Sequence, residues 1–268
     1  MYEQKLNACG YNGALPYWEW GLDVNNPHNS PIFDGSDTSL GGDGEFIPGP
    51  GPVLSIPGNA NPIILAKGTG GGCVTTGPFG NMTVHLGPIT QPDPTADNPR
   101  CLKRDLNADS GKRFSSFRNT TDLILGSSTI EFFRTTMEAD PNYVPDSLGV
   151  HGGGHFMIGG DPGSDAFISS GDPAFYLHHA QIDRVYWIWQ MLDFQNRQVR
   201  SPTLSLFMSN PLTWRKQGVF GTNTLLNFPP SPNTTVEDPI DLSPIAGPVK
   251  IKTLMNTVGG TPLCYVYL

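Results

Sequence analysis

Residues 172–193, DPAFYLHHAQIDRVYWIWQMLD, form the stretch that decides the expected fold. Asp172 suits the N-cap of an α-helix, and Pro173 suits its first helical position. Apolar and aromatic residues then recur every three or four positions, which predicts one inward-facing stripe. The residues on this stripe are Phe175, His179, Ile182, Tyr186 and Trp189. Because an unpaired imidazole is costly to bury, His179 should have a partner, either Asp183 one turn later or a metal ion.

Two further histidines favour the metal. His151 and His155 are four residues apart, so that on a helix both imidazoles would share one face. Two ligands of one metal ion need this spacing, although an isolated pair is a weak signal. Residues 152–154 are all glycine, so the general-base glutamate of zinc peptidases with this spacing is missing. His28 and His85 lie in Gly/Pro-rich stretches and are predicted to be ordinary loop histidines.

The rest of the chain is rich in glycine and proline, with 32 and 26 of the 268 residues. This composition favours long ordered loops around a modest amount of regular structure. Helical patterns occupy residues 1–8 and 129–139. Over residues 21–112 we expect irregular loops with short strands, such as one at 82–86. The prediction is a mainly α protein with irregular loops and a few short strands, in a single domain over residues 1–268.

The charge balance argues against two classes of partner. The formal net charge is −8 and the isoelectric point is about 5.1, so the basic surface that binds nucleic acid or anionic membranes is not expected. No apolar run approaches the roughly 18–20 residues that span a bilayer. We therefore expect neither nucleic acid nor a membrane as a partner.

The cysteines and glycosylation motifs favour an extracellular protein. The candidates for disulfides are Cys9, Cys73, Cys101 and Cys264, which lack the spacing of a zinc knuckle. Acceptor motifs for N-glycosylation begin at Asn81, Asn119 and Asn233. An even number of cysteines in a loop-rich chain is typical of a secreted protein, here with two disulfides. Against this, the first residues contain no apolar signal-peptide core.

Residues 171–190 closely resemble the second copper-binding motif of tyrosinases, catechol oxidases and related polyphenol oxidases. Residues 150–160, VHGGGHFMIGG, resemble the upstream histidine pair of that motif in short fungal enzymes of the family. Residues 100–105 (RCLKRD) and 264–267 (CYVY) are also similar to the family, so the resemblance covers the whole chain. It implies a mainly helical fold with the four-helix-bundle core of a type-3 copper protein, where two coppers, each held by three histidines, bind O2.

The resemblance also implies roles for individual residues. The implied ligands of the second copper are His151, His155 and His179. His178 is then a residue that packs behind the ligands, and Phe175 is the aromatic that flanks the metal. Asp183 would accept the remaining ring N–H of His179. Imidazole suits copper, and a dry aromatic surrounding tunes its chemistry.

Residues 2–13 and 16–20 are similar to the segment that follows the first copper motif of the family. In relatives, the third ligand of the first copper lies just upstream of the pair that matches Tyr2 and Glu3. We therefore expect one of the two copper sites to be encoded here, in a chain that is incomplete at its N-terminus. The intact protein is expected to be secreted.

The implied reaction is the oxidation of o-diphenols or o-aminophenols to quinones with O2. Many tyrosinases that also hydroxylate monophenols have an asparagine after the first ligand of this copper, whereas this chain has Gly152. The candidates for the substrate pocket are Gly152, Phe156 and Phe167, with Phe167 near the family's gate position. Two alternatives remain, a non-catalytic protein that binds a single copper or zinc ion and an oxygen carrier similar to hemocyanins. The physiological phenol, the disulfide pairing and the oligomeric state are not determined by the sequence.

Overall fold

A computed structural model describes residues 2–197, 219–260 and 262–268. The chain divides into two compact units, Met1–Thr120 with Pro141–Asp183 and Thr121–Asp140 with Arg184–Leu268. The organisation of residues 1–268 as one copper-binding domain stays a prediction.

Helices are the main regular structure in the described ranges. They are α1 (Tyr2–Ala8), α2 (Trp20–Asp23), α3 (Ala108–Phe114), α4 (Phe117–Gly126), α5 (Ile130–Met137), α6 (Gly149–Ile158), α7 (Ala174–Met191), α8 (Phe194–Arg197) and α9 (Ile251–Leu254). The strands are β1 (Gly44–Phe46), β2 (Val53–Leu54), β3 (Ile63–Ile64), β4 (Gly71–Val74), β5 (Thr83–Val84), β6 (Arg100–Cys101), β7 (Pro239–Leu242) and β8 (Ala246–Lys250). They pair antiparallel as β1 with β4, β2 with β3, β5 with β6 and β7 with β8. The predicted mainly α class with short strands is confirmed.

The three predicted helices form where local signals place them. Helix α7 has 18 residues, and Asp172 Oδ1 accepts the N–H of Ala174 at 2.8 Å, which is the predicted capping role. Helix α5 begins after Thr129, whose side chain accepts the N–H of Phe132. Helix α1 is followed by Gly10 at φ 96°, a left-handed conformation that only glycine adopts without strain.

The predicted inward stripe of α7 is wrong by about one position. The buried residues in the first two thirds of the helix are Ala174, Leu177, His178, Ala180, Gln181 and Val185. Of the predicted stripe, Trp189 is fully buried, whereas the other four residues are half-buried. No residue of α7 is exposed, so the helix has no solvent-facing polar side from which the buried face could be distinguished. Periodicity alone therefore could not select the buried face.

Helices α3 and α6 pack closely because of glycine. A Cβ atom at Gly153 would lie 2.6 Å from Cβ of Phe114, a distance that real side chains essentially never show. One hydroxyl in α3 and one at its C-cap also donate hydrogen bonds to carbonyls of α6. Ser110 Oγ donates to Gly153 O at 2.9 Å, and Ser115 Oγ donates to Val150 O at 3.1 Å. These contacts fix the rotation of α6 and hence the direction of its two histidines.

A buried ion pair fixes the start of α7. Arg104 Nε and Nη2 donate to the two carboxylate oxygens of Asp172 at 2.9 and 2.7 Å, and both side chains are 0% exposed. Arg104 Nη1 also donates to Gly41 O at 3.0 Å and to Gly42 O at 3.2 Å. The guanidinium thus joins the loop at residues 41–42 to the cap of α7.

One of the two expected disulfides is present. Cys73 in β4 and Cys101 in β6 are bonded to each other. Cys9 and Cys264 are exposed free thiols, so the expectation of a second disulfide is wrong for this structure. The number of cysteines does not determine which of them lie close enough to form a bond. In the described part of the chain, no helix combines the length and the apolar character needed to cross a bilayer.

Candidate metal centre

Three imidazoles converge between α6 and the first half of α7. His151 and His155 lie one turn apart on α6, and His179 comes from α7. The Nε2 atoms are 3.1 Å apart between His151 and His155, 3.4 Å between His151 and His179, and 3.3 Å between His155 and His179. All three side chains are half-buried. The three predicted ligands are therefore brought together by the fold.

The spacing of these nitrogens fits a metal ion. A circle through three atoms at the observed separations has a radius of about 1.9 Å, close to the roughly 2.0–2.1 Å of a metal–imidazole bond. His151, His155 and His179 could therefore hold one metal ion together through their Nε2 atoms. Without a cation, at least two of the three Nε2 atoms would be in the same protonation state, so that two lone pairs or two N–H groups would face each other at about 3 Å. The donor set is thus suited to a metal that prefers imidazole, of which copper is one.

Two contacts orient the ligand rings. His155 Nδ1 lies 3.1 Å from Gly163 O, so it carries the proton and leaves the lone pair of Nε2 for the metal. The ring of Phe175 stacks on that of His179, with centroids 3.9 Å apart and planes 24° apart. Phe175 is thus in contact with His179, and its predicted role as the aromatic that flanks the metal stays a prediction. Asp183 follows His179 by one turn of α7, and its proposed hydrogen bond to that ring stays a prediction.

His178 is the fourth histidine of the cluster. One potential ligand atom from each of His151, His155, His178 and His179 lies within 4.8 Å of the others. Among the described residues, these four form the only group of this kind that could hold a metal ion. His178 is 0% exposed, and its Nδ1 accepts the indole N–H of Trp20 at 3.0 Å. Burial, followed by the nearby imidazoles, lowers the pKa of His178 well below its ordinary value, so the ring is neutral.

Gly154 makes room for this pair. A Cβ atom at Gly154 would overlap the ring of His178 and would lie 3.2 Å from Nε1 of Trp20. The glycine run of α6 therefore serves two contacts, since Gly153 faces α3 and Gly154 faces His178. At Gly152, by contrast, an added Cβ atom would contact only the side chain of Leu148, whose Cβ atom would lie 3.3 Å away.

The common central domain of tyrosinase matches residues 1–192 of this chain. This chain belongs to the tyrosinase family. A solved structure, a variant of polyphenol oxidase from Thermothelomyces thermophila, is 40% identical, with a TM-score of 0.81 over 100% of this chain and 69% of that one. The family implies copper, a phenolic substrate and O2. The predicted resemblance to tyrosinases and polyphenol oxidases is confirmed.

Curated relatives of the tyrosinase family are similar over the full chain. Tyrosinase P of Aspergillus terreus is 34% identical over 277 residues, which are 100% of this chain and 71% of the relative. An oxidase of Aspergillus hancockii is 35% identical over 283 residues, 100% of this chain and 89% of the relative. N-acetyl-6-hydroxytryptophan oxidase of Emericella nidulans is 32% identical, covering 100% of this chain and 72% of the relative.

The residues predicted for a tyrosinase substrate pocket lie in different places. Gly152 follows the ligand His151 on α6. Phe156 packs, half-buried, against a cluster formed by Ile63, Leu65, Phe114 and Leu148. Phe167 is 66% exposed and lines a cavity of about 290 Å³ together with His85, Pro162 and Ile168. Pro162 precedes Gly163, whose carbonyl holds His155, so the cavity borders the segment that orients this ligand.

The other predicted features lie outside the tyrosinase metal centre. His28 contacts Thr69 and lies 3.4 Å from Asp43, and His85 Nδ1 lies 2.7 Å from Asp97. Among the glycosylation candidates, Asn81 and Asn233 are exposed. Asn119 is half-buried, and its amide donates to the carbonyl of Arg113 at 3.2 Å. Asn119 is therefore the least accessible of the three acceptors.

Sequence reasoning missed Trp20, Arg104 and Gly163 as residues that shape the centre. Trp20 lies 158 positions from His178, and no local pattern links them. Arg104 lies in a segment that resembles the family, but its partner Asp172 was assigned only a capping role. A backbone carbonyl such as that of Gly163 has no sequence signal at all.

Proposed function

We propose that this protein is a copper-dependent oxidase that converts o-diphenols or o-aminophenols to quinones with O2. The observation that carries the proposal is the convergence of three histidine Nε2 atoms at 3.1–3.4 Å. Copper, when bound, supplies the redox steps between the phenol and O2. The alternative of a non-catalytic protein with a single copper or zinc is an outcome of the experiment below.

The proposed reaction balances without a further reductant. Two molecules of o-diphenol each lose two electrons and two protons. One molecule of O2 takes up the four electrons and four protons and becomes two molecules of water. No protein side chain is consumed, so the residues of this chain have to hold the metal, orient the phenol and keep water away.

We assign these tasks to residues of α6 and α7. His151, His155 and His179 hold the metal, and the Gly163 carbonyl keeps His155 in the tautomer that can bind it. Phe175, stacked on His179, limits the rotation of that ring and offers an apolar wall. We place Phe167 as the residue that narrows access, because it lines an open cavity beside the segment that carries Gly163.

We expect one copper ion per chain from the residues present. The sequence contains six histidines, and four of them form the cluster described above. His28 and His85 each lie beside an aspartate elsewhere in the fold and do not belong to the cluster. These six histidines therefore do not include a second group of three that could bind the other copper ion of the family.

Gly152 supports a preference for diphenols over monophenols. A glycine at this position offers no polar side chain next to His151 to orient a water molecule for deprotonation of a monophenol. We accordingly propose o-diphenols and o-aminophenols as the substrate class.

We also propose that the protein functions outside the cell. The disulfide between Cys73 and Cys101 is a feature of proteins that fold in oxidising compartments. Asn81 and Asn233 are exposed and begin acceptor motifs for N-glycosylation. Intact-mass measurement of the protein from its native source, before and after enzymatic deglycosylation, tests this assignment.

Copper titration of the purified chain tests the function. We expect one Cu²⁺ per chain, and a loss of affinity of at least ~100-fold in His155→Ala, since one of three ligands is removed. His28→Ala is the matched control and should bind as the wild type does. Oxygen uptake and quinone absorbance with catechol then measure turnover. Metal binding without any turnover would establish the non-catalytic alternative, and absence of stoichiometric binding would refute the metal centre itself.

A further inference from the structure

Trp20 is fully buried beside the metal centre. It is the first residue of α2, and its indole N–H points at Nδ1 of His178 across 3.0 Å. The indole nitrogen is only ever a donor, so Nδ1 of His178 has to be the acceptor. A neutral imidazole with an acceptor at Nδ1 carries its proton at Nε2. The contact with Trp20 therefore determines the tautomer of His178.

This tautomer leaves His178 without a free lone pair. Its Nδ1 lone pair is taken by Trp20, and its Nε2 carries hydrogen. A metal binds a neutral imidazole only through an unprotonated nitrogen. Coordination through Nε2 would require the loss of that proton, and coordination through Nδ1 would require the loss of the Trp20 hydrogen bond.

Distance alone would not keep His178 away from the metal. Its ring centroid is 4.4 Å from that of His155 and 5.6 Å from that of His151. It belongs to the same group of four potential ligands, within 4.8 Å of one another. Four imidazoles around one ion would close the position that O2 or a phenol needs, because catalytic metal sites keep one coordination position open.

We propose that Trp20 is a positioning residue that withholds His178 from the metal, so that the centre has three imidazole ligands and an open position. This inference rests on the proposed metal centre. Gly154 contributes by leaving the space in which the ring of His178 meets the indole. The adjacent histidines of α7 thus have opposite tasks, since His179 binds the metal and His178 fills the volume behind it.

The wild-type protein provides the first test. The chain is loaded with Zn²⁺, a diamagnetic probe, and the imidazole nitrogens are observed by ¹⁵N NMR. We expect three histidines of the cluster with metal-bound Nε2 and one, His178, with an unbound Nδ1 and a protonated Nε2. Four metal-bound imidazoles would overturn the inference.

Trp20→Phe provides the second test, with Trp18→Phe as its matched control. Trp18 is also a buried tryptophan, but its indole N–H donates to Asp23 at 2.7 Å and not to a histidine. In Trp20→Phe we expect the pulsed electron paramagnetic resonance spectrum of bound Cu²⁺ to report four coupled nitrogens instead of three. We also expect about tenfold tighter copper binding, or ~1.4 kcal/mol.

The double variant Trp20→Phe/His178→Leu separates this role from a general effect on packing. It should return the spectrum to three nitrogens, because the additional ligand is gone. The inference is overturned if Trp20→Phe keeps the wild-type spectrum, or if Trp18→Phe shifts it equally. Failure of the wild type to bind one metal ion would instead refute the metal centre on which the inference rests.

Discussion

Replacing Arg104 by methionine should destabilise the protein strongly, although Arg104 contacts no histidine. Methionine has a similar length and leaves the apolar stem in place, but it removes both hydrogen bonds to Asp172. The carboxylate would then be buried at 0% exposure with only the N–H of Ala174 as a partner. Two carbonyls, of Gly41 and Gly42, would lose their donor as well.

The burial of the pair determines the size of the effect. Removing one partner of a buried ion pair costs about 3–5 kcal/mol, because an uncompensated charge remains in a medium of low polarity. At roughly 2–4 °C per kcal/mol for a chain of this size, the melting temperature should fall by roughly 6–20 °C. The cap of α7 would loosen first, and His178 and His179 lie within two turns of it.

Urea unfolding of the metal-free protein measures the effect, with Arg100→Met as the matched control. Arg100 also binds its aspartate, Asp161, through two nitrogens, at 2.6 and 2.7 Å. That pair is 15% and 26% exposed, however, so water stabilises the remaining charge. We expect Arg100→Met to cost about 1 kcal/mol.

A result in which both variants lose the same stability would refute the argument from burial. The double variant Arg104→Met/Asp172→Asn checks the stated cause, because it removes the unpaired charge while keeping an acceptor for Ala174. It should recover at least half of the lost stability. No recovery would show that the charge of Asp172 is not the source of the cost.

Three further predictions concern the disulfide, the substrate preference and pH. Replacing Cys73 and Cys101 by serine should lower the free energy of unfolding in urea by about 3–4 kcal/mol, because their bond closes a loop with a sequence separation of 28. The native wild type should react with a thiol reagent at two cysteines per chain, and reaction at none would contradict the structure. Gly152→Asn should raise the ratio of monophenol to diphenol turnover several-fold, and an unchanged ratio would remove the argument for the diphenol preference. The pKa of His178 is lowered in the folded chain, so below about pH 6.5 the unfolded chain takes up a proton at this residue that the folded chain does not. The free energy of unfolding should therefore fall as the pH drops from about 6.5, by up to ~1.4 kcal/mol per pH unit. A metal-free His178→Gln variant should show a shallower decline, and equal slopes would argue against a contribution from His178.

Local patterns predicted helices α1, α5 and α7 and selected the three histidines that converge. Capping residues and apolar spacing are short-range signals, and Asp172 and Thr129 cap α7 and α5 as expected. The three histidines could be selected because helical spacing and the family motif both apply to them. Their convergence in the structure follows from α7, which the sequence predicts, and from α6, which the spacing of His151 and His155 presupposes.

Burial and cysteine pairing depend on distant segments, and there the sequence-based predictions were wrong. The buried face of α7 differs from the predicted stripe because no side of this helix is exposed, which weakens any periodic contrast. The number of cysteines was even, yet Cys9 and Cys264 remain free. Whether two thiols pair depends on the distance between them after folding, and composition contains no such distance.

The sequence by itself therefore determined the family, the mainly helical class and the three imidazoles that converge on one point. Only the tertiary structure decided what surrounds them. It placed Trp20 against His178, Arg104 against Asp172 and the Gly163 carbonyl against His155. Each contact except the last joins residues at least 68 positions apart, and all depend on side-chain or backbone atoms at hydrogen-bonding distance. Periodicity and propensity act over a few residues, so they specify which groups lie on an element but not which distant group each one meets.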